Sequence, residues 1–152
     1  VIISNYSSIN YGELTSFSAT FNTTTFSVTI NKSKMWDNGT NYTTNAIGAT
    51  IGTGSSNTNN ITSYSGNGAY AAKLCEDYEN GGYSDWYLPS IDELTELYNQ
   101  RSLFPTLNTT GVYYWSSTEL SLTTARRKLF STGATVSSAK SSLSYVRAIR
   151  KF

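Results

Sequence analysis

Histidine is absent from this 152-residue chain, and cysteine occurs once, as Cys75. The first absence removes the commonest general base, the usual base of a nucleophilic triad and the commonest zinc ligand. The second excludes an intrachain disulfide and a redox pair. Charge is also scarce. Only 14% of residues are charged and the net charge is +1, so bulk charge points to neither a nucleic-acid partner nor a membrane surface. No apolar run approaches the roughly 18 residues that a bilayer-spanning helix needs. Neither an initiator Met nor a signal-peptide core opens the chain, which therefore reads as a fragment or a processed product.

What fills the chain instead is Ser, Thr, Asn, Gly and Tyr, with 14% aromatic residues offsetting a hydrophobic content of 38%. Small polar side chains satisfy irregular backbone without charge, a mixture suited to a loop-rich extracellular or virion domain. The length allows one domain with a real core. Charge is unevenly placed: seven of the ten carboxylates lie between residues 76 and 96, and none follows Glu119. Arg126, Arg127, Lys128, Lys140, Arg147, Arg150 and Lys151 all follow it.

Along the chain, Phe17, Ala19 and Phe21, then Phe26, Val28 and Ile30, alternate on either side of a polar break at residues 22–25. This pattern predicts a β-hairpin with one buried face. Residues 1–12 show no period and read as a terminal strand, a linker or an oligomerisation arm. We accordingly divide the chain into an N-terminal arm, residues 1–30, and a binding domain, residues 31–152. Residues 37–68 are dense in Gly and Asn and read as a long irregular loop, of the sort that is functional or pinned by packing. Two helices follow. The first carries Ala71, Leu74, Cys75 and Tyr78 on one stripe and stops at Gly81-Gly82. The second opens with a Ser90-x-x-Glu93 capping box and buries Ile91, Leu94, Leu97 and Tyr98. Strands are predicted at Tyr113–Ser117, Arg126–Phe130 and Ser144–Ile149, with turns near residues 121–124 and 132–133. The order of elements describes an α+β domain.

No constellation argues for catalysis. Cys75 lies on a helix's apolar stripe, and Asp92, Glu93 and Glu96 are explained by the helix dipole and hydration. Glu119 is the least explained carboxylate. We expect it to pair with an arginine such as Arg147; the alternative is an acid in a pocket. Asp37, Asn38 and Asn41 offer oxygen ligands but lack the carboxylates of a calcium loop. Gly52-Thr53-Gly54 lacks the Lys-Ser/Thr of a phosphate loop. No metal, no cofactor and no enzymatic activity are expected. The run Arg126-Arg127-Lys128 has two readings, a solvated edge strand protected by charge and an anion-facing patch helped by Lys140. Leu120, Leu122, Leu129 and Leu143 stand among Ser and Thr without a period, as contact-surface residues do.

Several motifs carry a resemblance. Gly82-Tyr83-Ser84-Asp85-Trp86-Tyr87-Leu88-Pro89-Ser90 with Asp92-Glu93-Leu94, Ile51-Gly52-Thr53-Gly54 with Asn57-Thr58, Tyr114-Trp115-Ser116-Ser117-Thr118-Glu119, and the run from Tyr145 to Phe152 are the residues concerned. Over roughly residues 35–152 the chain resembles the Lcl C-terminal domain family, named for bacterial collagen-like adhesins. The resemblance implies a C-type-lectin-like fold: two helices packed on a small twisted antiparallel sheet, with long irregular loops. Trp86, Leu88, Trp115, Val146 and Ile149 would form its core, with Asp85 and Glu119 satisfying buried polar partners. Between the last two motifs the residues depart from the family's usual Asn, Tyr and Ser. A fixed motif, a scrambled stretch and a second fixed motif are similar to the variable proteins of diversity-generating retroelements. Formylglycine-generating enzymes share the broad fold, but their paired cysteines cannot exist with Cys75 alone.

The expected function is therefore receptor or ligand binding through a diversified face, residues 120–143, as on a phage tail fibre or bacterial surface protein. The expected contacts are Leu120, Leu122, Thr123, Thr124, Arg126, Arg127, Lys128, Leu129, Thr132, Ala134, Thr135, Ser138, Lys140 and Leu143. A host-surface protein or glycan is the expected partner, with no nucleic acid and no membrane insertion, and relatives on stalks imply a homotrimer. The alternative is a non-diversified adhesin that reads acidic or sulfated glycans by charge.

Overall fold

A computed structural model describes residues 14–17, 25–104 and 107–151. The arm expected at residues 1–12 and the turn of the first hairpin, with Ala19 and Phe21, lie outside the described residues.

Among the described residues, six strands form one sheet: β1 (Leu14–Phe17), β2 (Thr25–Lys34), β3 (Tyr113–Glu119), β4 (Thr124–Leu129), β5 (Thr135–Ala139) and β6 (Ser144–Lys151). Their order across the sheet is β1-β2-β6-β3-β4-β5. The predicted N-terminal hairpin is present, with Leu14 opposite Ile30 and Phe17 opposite Ser27. β2 then pairs along β6, from Thr25 opposite Lys151 to Lys34 opposite Ser144. The boundary drawn at residue 30 thus falls inside β2, and the early and late parts of the chain share one sheet. β6 runs parallel to β3 at Tyr114 and Tyr145, so the sheet is mixed rather than wholly antiparallel.

Among the described residues, three α-helices pack on this sheet: α1 (Gly54–Ser65), α2 (Ala71–Glu76) and α3 (Ile91–Asn99). α1 corrects the expectation of an irregular stretch over residues 37–68. Its Ser, Asn and Thr have weak helix propensity, and tertiary contacts supply what propensity lacks. The Asn57 side chain accepts from Gly48 N at 3.1 Å and donates to Gly48 O at 2.6 Å and to Ser117 Oγ at 3.2 Å. Thr58 Oγ1 accepts from Leu88 N at 3.0 Å, and Ile61 is fully buried. These residues read as loop chemistry but act as anchors.

α3 is formed as its capping box predicts. Ser90 Oγ accepts from Glu93 N, and the Glu93 carboxylate accepts from Ser90 N at 2.8 Å. Ser90 Oγ also donates to Thr50 O at 2.9 Å. Replacing Ser90 with Ala should therefore cost about 1–2 kcal/mol, read as a lower urea midpoint at unchanged m-value.

The core divides across the sheet. Trp36, Ile61, Ala72, Cys75, Trp86, Leu88, Trp115, Ala125, Val146 and Ala148 belong to one cluster, on the side of α1 and α2. Ile91, Leu94, Leu97, Phe104, Leu107, Tyr114 and Phe130 form the other, under α3. Consecutive residues of β3 serve both sides, Tyr114 toward α3 and Trp115 toward α1 and α2, which is the period-two geometry of a strand buried on both faces. All five core residues named from the sequence motifs are buried. Burial pushes the Cys75 thiol far up from its ordinary value, as a packing residue's would be.

Candidate functional site

The β3–β4 turn and the start of the connection from β5 to β6 lie together at one end of the sheet. Leu120 and Ser121 N–H groups donate to Thr124 O, at 3.0 and 3.1 Å, closing the β3–β4 turn. Lys140 N donates to Thr123 O at 2.8 Å, which ties the start of the β5–β6 connection to it. A third segment, residues 40–47, is fastened to the same end. Thr44 N donates to both oxygens of Glu119, at 2.9 and 3.0 Å, and Glu119 N donates to Ala46 O at 2.8 Å.

Lys140 locks the three segments together. Its ammonium donates to Glu119 Oε1 at 2.5 Å and to Tyr42 O at 2.8 Å, and lies 4.6 Å from the centre of the Trp36 ring. Asp37 Oδ2 is 4.0 Å away. The side chains of Lys140 and Glu119 are each only 1% exposed. Burial raises the Asp37 carboxyl above the ordinary range, against the lowering effects of Gly39 N–H and Lys140. This geometry corrects two expectations. Lys140 is an internal counter-ion and not a surface contact. Glu119 pairs with Lys140 and not with Arg147, because Arg147 lies on β6 facing Phe104 under α3, 5.4 Å from the ring.

The basic run on β4 is likewise largely committed to the fold. Arg126 and Lys128 share one face and Arg127 and Leu129 the other, as strand alternation requires. Lys128 is buried, its ammonium donating to Gly133 O at 2.9 Å and Thr135 Oγ1 at 3.0 Å. Burial lowers its affinity for a proton. The Arg127 guanidinium lies 4.0 Å over the Tyr113 ring and donates to Ser144 Oγ at 3.0 Å. Arg126 is half-buried. Burial of Lys128 takes it, too, off the contact surface expected from the sequence: it fastens the β4–β5 turn instead.

Three of the four expected leucines are where a partner could meet them. Leu120, Leu122 and Leu143 are 51%, 50% and 62% exposed. Thr123, Thr132, Ala134 and Thr135 are exposed, and Thr124, Leu129 and Ser138 are half-buried. Thr132, Ala134 and Thr135 stand at the opposite end of β4–β5 and along its edge, apart from the leucines. Sequence reasoning missed Tyr42 and Ile47, which are 53% and 72% exposed on the fastened loop. Their apolar character inside a polar loop was a visible signal. Their position beside the leucines depends on bonds from Glu119 and Lys140 that no local pattern announces.

The model of the Lcl C-terminal domain family matches residues 57–150, more than half of the chain. The chain belongs to the Lcl C-terminal domain family. No curated protein matches it in sequence. At the family's level of description this is a ligand-binding, surface-related module. The matched span of this Lcl C-terminal domain includes all three helices but for the first turn of α1, and the strands β3 to β6 almost entire. It omits residues 40–47, so the exposed Tyr42 and Ile47 lie outside the matched segment. Among the described residues, no group of three or more metal-ligating side chains converges, and no helix is long and apolar enough to cross a membrane.

Proposed function

We propose that the domain is a receptor-binding module of a phage tail fibre or bacterial surface protein, and that it reads its ligand at the end of the sheet where three segments meet. One observation carries the reading. Five of the nine exposed large apolar side chains among the described residues, Tyr42, Ile47, Leu120, Leu122 and Leu143, belong to those segments. A soluble domain seldom leaves such a cluster open unless a partner covers it. The frame beneath is rigid, held by the buried Glu119–Lys140 pair, and recognition loops on a rigid scaffold are the usual arrangement.

The C-type-lectin-like assignment of the fold belongs to the same proposal. It is supported by the pairing of the N-terminal strand β2 with the C-terminal strand β6 and by the long segment between β2 and α1. Diversification of residues 120–143 is also part of it, now with a boundary. Variation is tolerated at Leu120, Leu122, Thr123, Thr132, Ala134, Thr135 and Leu143, where exposed substitutions cost little. It is excluded at Ala125, Lys128, Phe130 and Lys140, whose side chains hold the frame. A nearby reverse-transcriptase gene with a near-copy repeat differing at adenines is the expected genomic setting; its absence defeats the diversified reading. The proposal includes no catalytic step and no cofactor, and it keeps the trimer as an inference from stalk-borne relatives.

The charge-driven glycan reading draws less support, since Lys128 and Lys140 already have internal partners. The discriminating experiment is the triple variant Leu120→Ser/Leu122→Ser/Leu143→Ser. Its melting temperature should stay within about 3 °C of the parent's, because exposed positions contribute little. Attachment of the labelled domain to a panel of bacterial cells should fall at least about tenfold, the scale of a lost apolar anchor. Unchanged attachment would sink the reading.

A further inference from the structure

β5 closes one side of the sheet, and its register settles which backbone groups are left open. Leu129 N donates to Ala134 O, and Lys140 N donates to Thr123 O, each at 2.8 Å. Ala125 stands opposite Ser138 and Arg127 opposite Val136. Val136 and Ser138 therefore turn their N–H and C=O groups to β4, as do the Ala134 carbonyl and the Lys140 N–H, and Thr135, Ser137 and Ala139 turn theirs away. The Ala139 carbonyl is taken by Ser142 N at 2.9 Å. The N–H groups of Thr135, Ser137 and Ala139 and the carbonyls of Thr135 and Ser137 bond to no other described backbone group. They form an outward row about 13 Å long, at roughly 3.3 Å per residue.

Sheet edges of this sort are usually blunted by lysine, proline or a bulge. The sequence Thr135-Val136-Ser137-Ser138-Ala139 has no charge and no proline, and its pairing with β4 keeps one register throughout. The same strand leads, at Lys140, to the β3–β4 turn that carries Leu120 and Leu122, through the bond from Lys140 N to Thr123 O. The backbone edge that no described residue covers thus ends beside a turn with two exposed leucines.

We infer that the ligand presents an extended polypeptide segment that adds to β5 as a further strand and sets an apolar side chain on the leucine patch. This rests on the binding-module reading and names the chemistry of the partner. Backbone hydrogen bonds would supply affinity along β5 without demanding a sequence, and the patch would supply selectivity. A second copy of the chain fits less well. A two-fold axis through Ser137 would place the two apolar patches at opposite ends, uncovered. Five paired residues also bury far less than the roughly 1,200 Å² of a stable interface. No carboxylate follows Glu119 in the chain, while Arg126 and Lys151 remain at least partly exposed. The segment is accordingly neutral or acidic.

The test is a phage-displayed library of random twelve-residue peptides, panned on the whole chain and followed by fluorescence anisotropy with synthetic binders. Selected peptides should carry an apolar residue at one fixed end. Methylating peptide amides one at a time should weaken binding about tenfold at alternate positions and leave the intervening ones unchanged, since only every second amide faces β5. Ser137→Pro should weaken the same peptides about tenfold. Its amide faces outward, so proline removes no bond to β4. Leu122→Ser should weaken them independently. An N-methyl scan without alternation overturns the inference even if the proline variant misfolds. So does undiminished binding to a folded Ser137→Pro chain, a library that yields no binder, or self-association of the chain that Ser137→Pro abolishes. Cell attachment separates the two readings. If the leucine triple variant loses it and Ser137→Pro keeps it, the binding-module reading stands and strand addition fails.

Discussion

Lys140→Met is expected to cost about 3–5 kcal/mol, because removing one partner of a buried ion pair strands the other. In a domain of this size that is a fall in melting temperature on the order of 10 °C or more. The stranded partners are identifiable. Glu119 would keep its two bonds from Thr44 N but lose its cation, and Asp37 would face it with nothing between. Tyr42 O would lose its donor as well. Hydrogen exchange at Thr44 and its neighbours should therefore quicken more than exchange in α3.

The loss should depend on pH with a definite sign. The Asp37 carboxyl already titrates above its ordinary value because it is buried, and Lys140 is one of the groups holding it down. Without the lysine it rises further. A carboxyl raised in the folded state is a burden that is complete above its folded pKa and fades as pH falls toward the unfolded value near 4. The difference between variant and parent should shrink on acidification. Lys140→Met/Glu119→Gln should recover part of the loss at neutral pH. If the single variant melts within 2 °C of the parent, by about the error of such a measurement, the buried pair is not what holds the loop.

The second large effect centres on Glu93, which joins α1 to α3. Its carboxylate accepts from Gly52 N at 3.0 Å, from Ser90 N at 2.8 Å and from the Tyr87 hydroxyl at 3.1 Å. One side chain thereby closes the capping box of α3 and satisfies backbone just ahead of α1. Glu93→Ala should cost about 3 kcal/mol, since each buried donor left without a partner costs about 1–3 kcal/mol and some will find water.

Gly54, the first residue of α1, sets the space in which that carboxylate sits. A Cβ there would fall against Glu93 Oε2 and the Tyr87 ring, and 2.9 Å from Leu88 O. Alanine is the better helix former by about 1 kcal/mol, so propensity alone predicts a gain. We expect a net loss of about 1–3 kcal/mol, as for overpacked sites, because a backbone carbonyl cannot swing aside. The two substitutions should not add. In the Glu93→Ala background, Gly54→Ala should cost measurably less, giving a coupling of about 1 kcal/mol in a double-mutant cycle from urea unfolding. Strict additivity would mean that the carboxylate is not the group that Gly54 accommodates.

These sites mark how much the sequence could say. α3 was legible residue by residue, because a capping box and an apolar stripe are encoded within nine or ten positions. The N-terminal hairpin and the strands around Trp115, Arg127 and Val146 were legible from alternation, which also placed Arg126 and Lys128 on one face. α1 was not. Asn57 and Thr58 belong to loops by propensity and to a helix only because Gly48, Ser117 and Leu88 bind their side chains. β5 was missed for a related reason. Five small residues between two turns have no local period strong enough to outweigh their turn chemistry.

The binding face followed the same division. The chain itself determined that there is no histidine to act as a base, that carboxylates end at Glu119, and that leucines stand in polar turns near the C-terminus. Those properties belong to composition and order. Which lysine is a counter-ion and which residue faces a partner was decided only in three dimensions, where Lys140 is drawn inside by Glu119, Asp37 and Tyr42. That choice depends on burial, since a lysine's charge is tolerated in the interior only where carboxylates and carbonyls converge on it. The same convergence carries Tyr42 and Ile47 to the leucines, across more than seventy residues of chain.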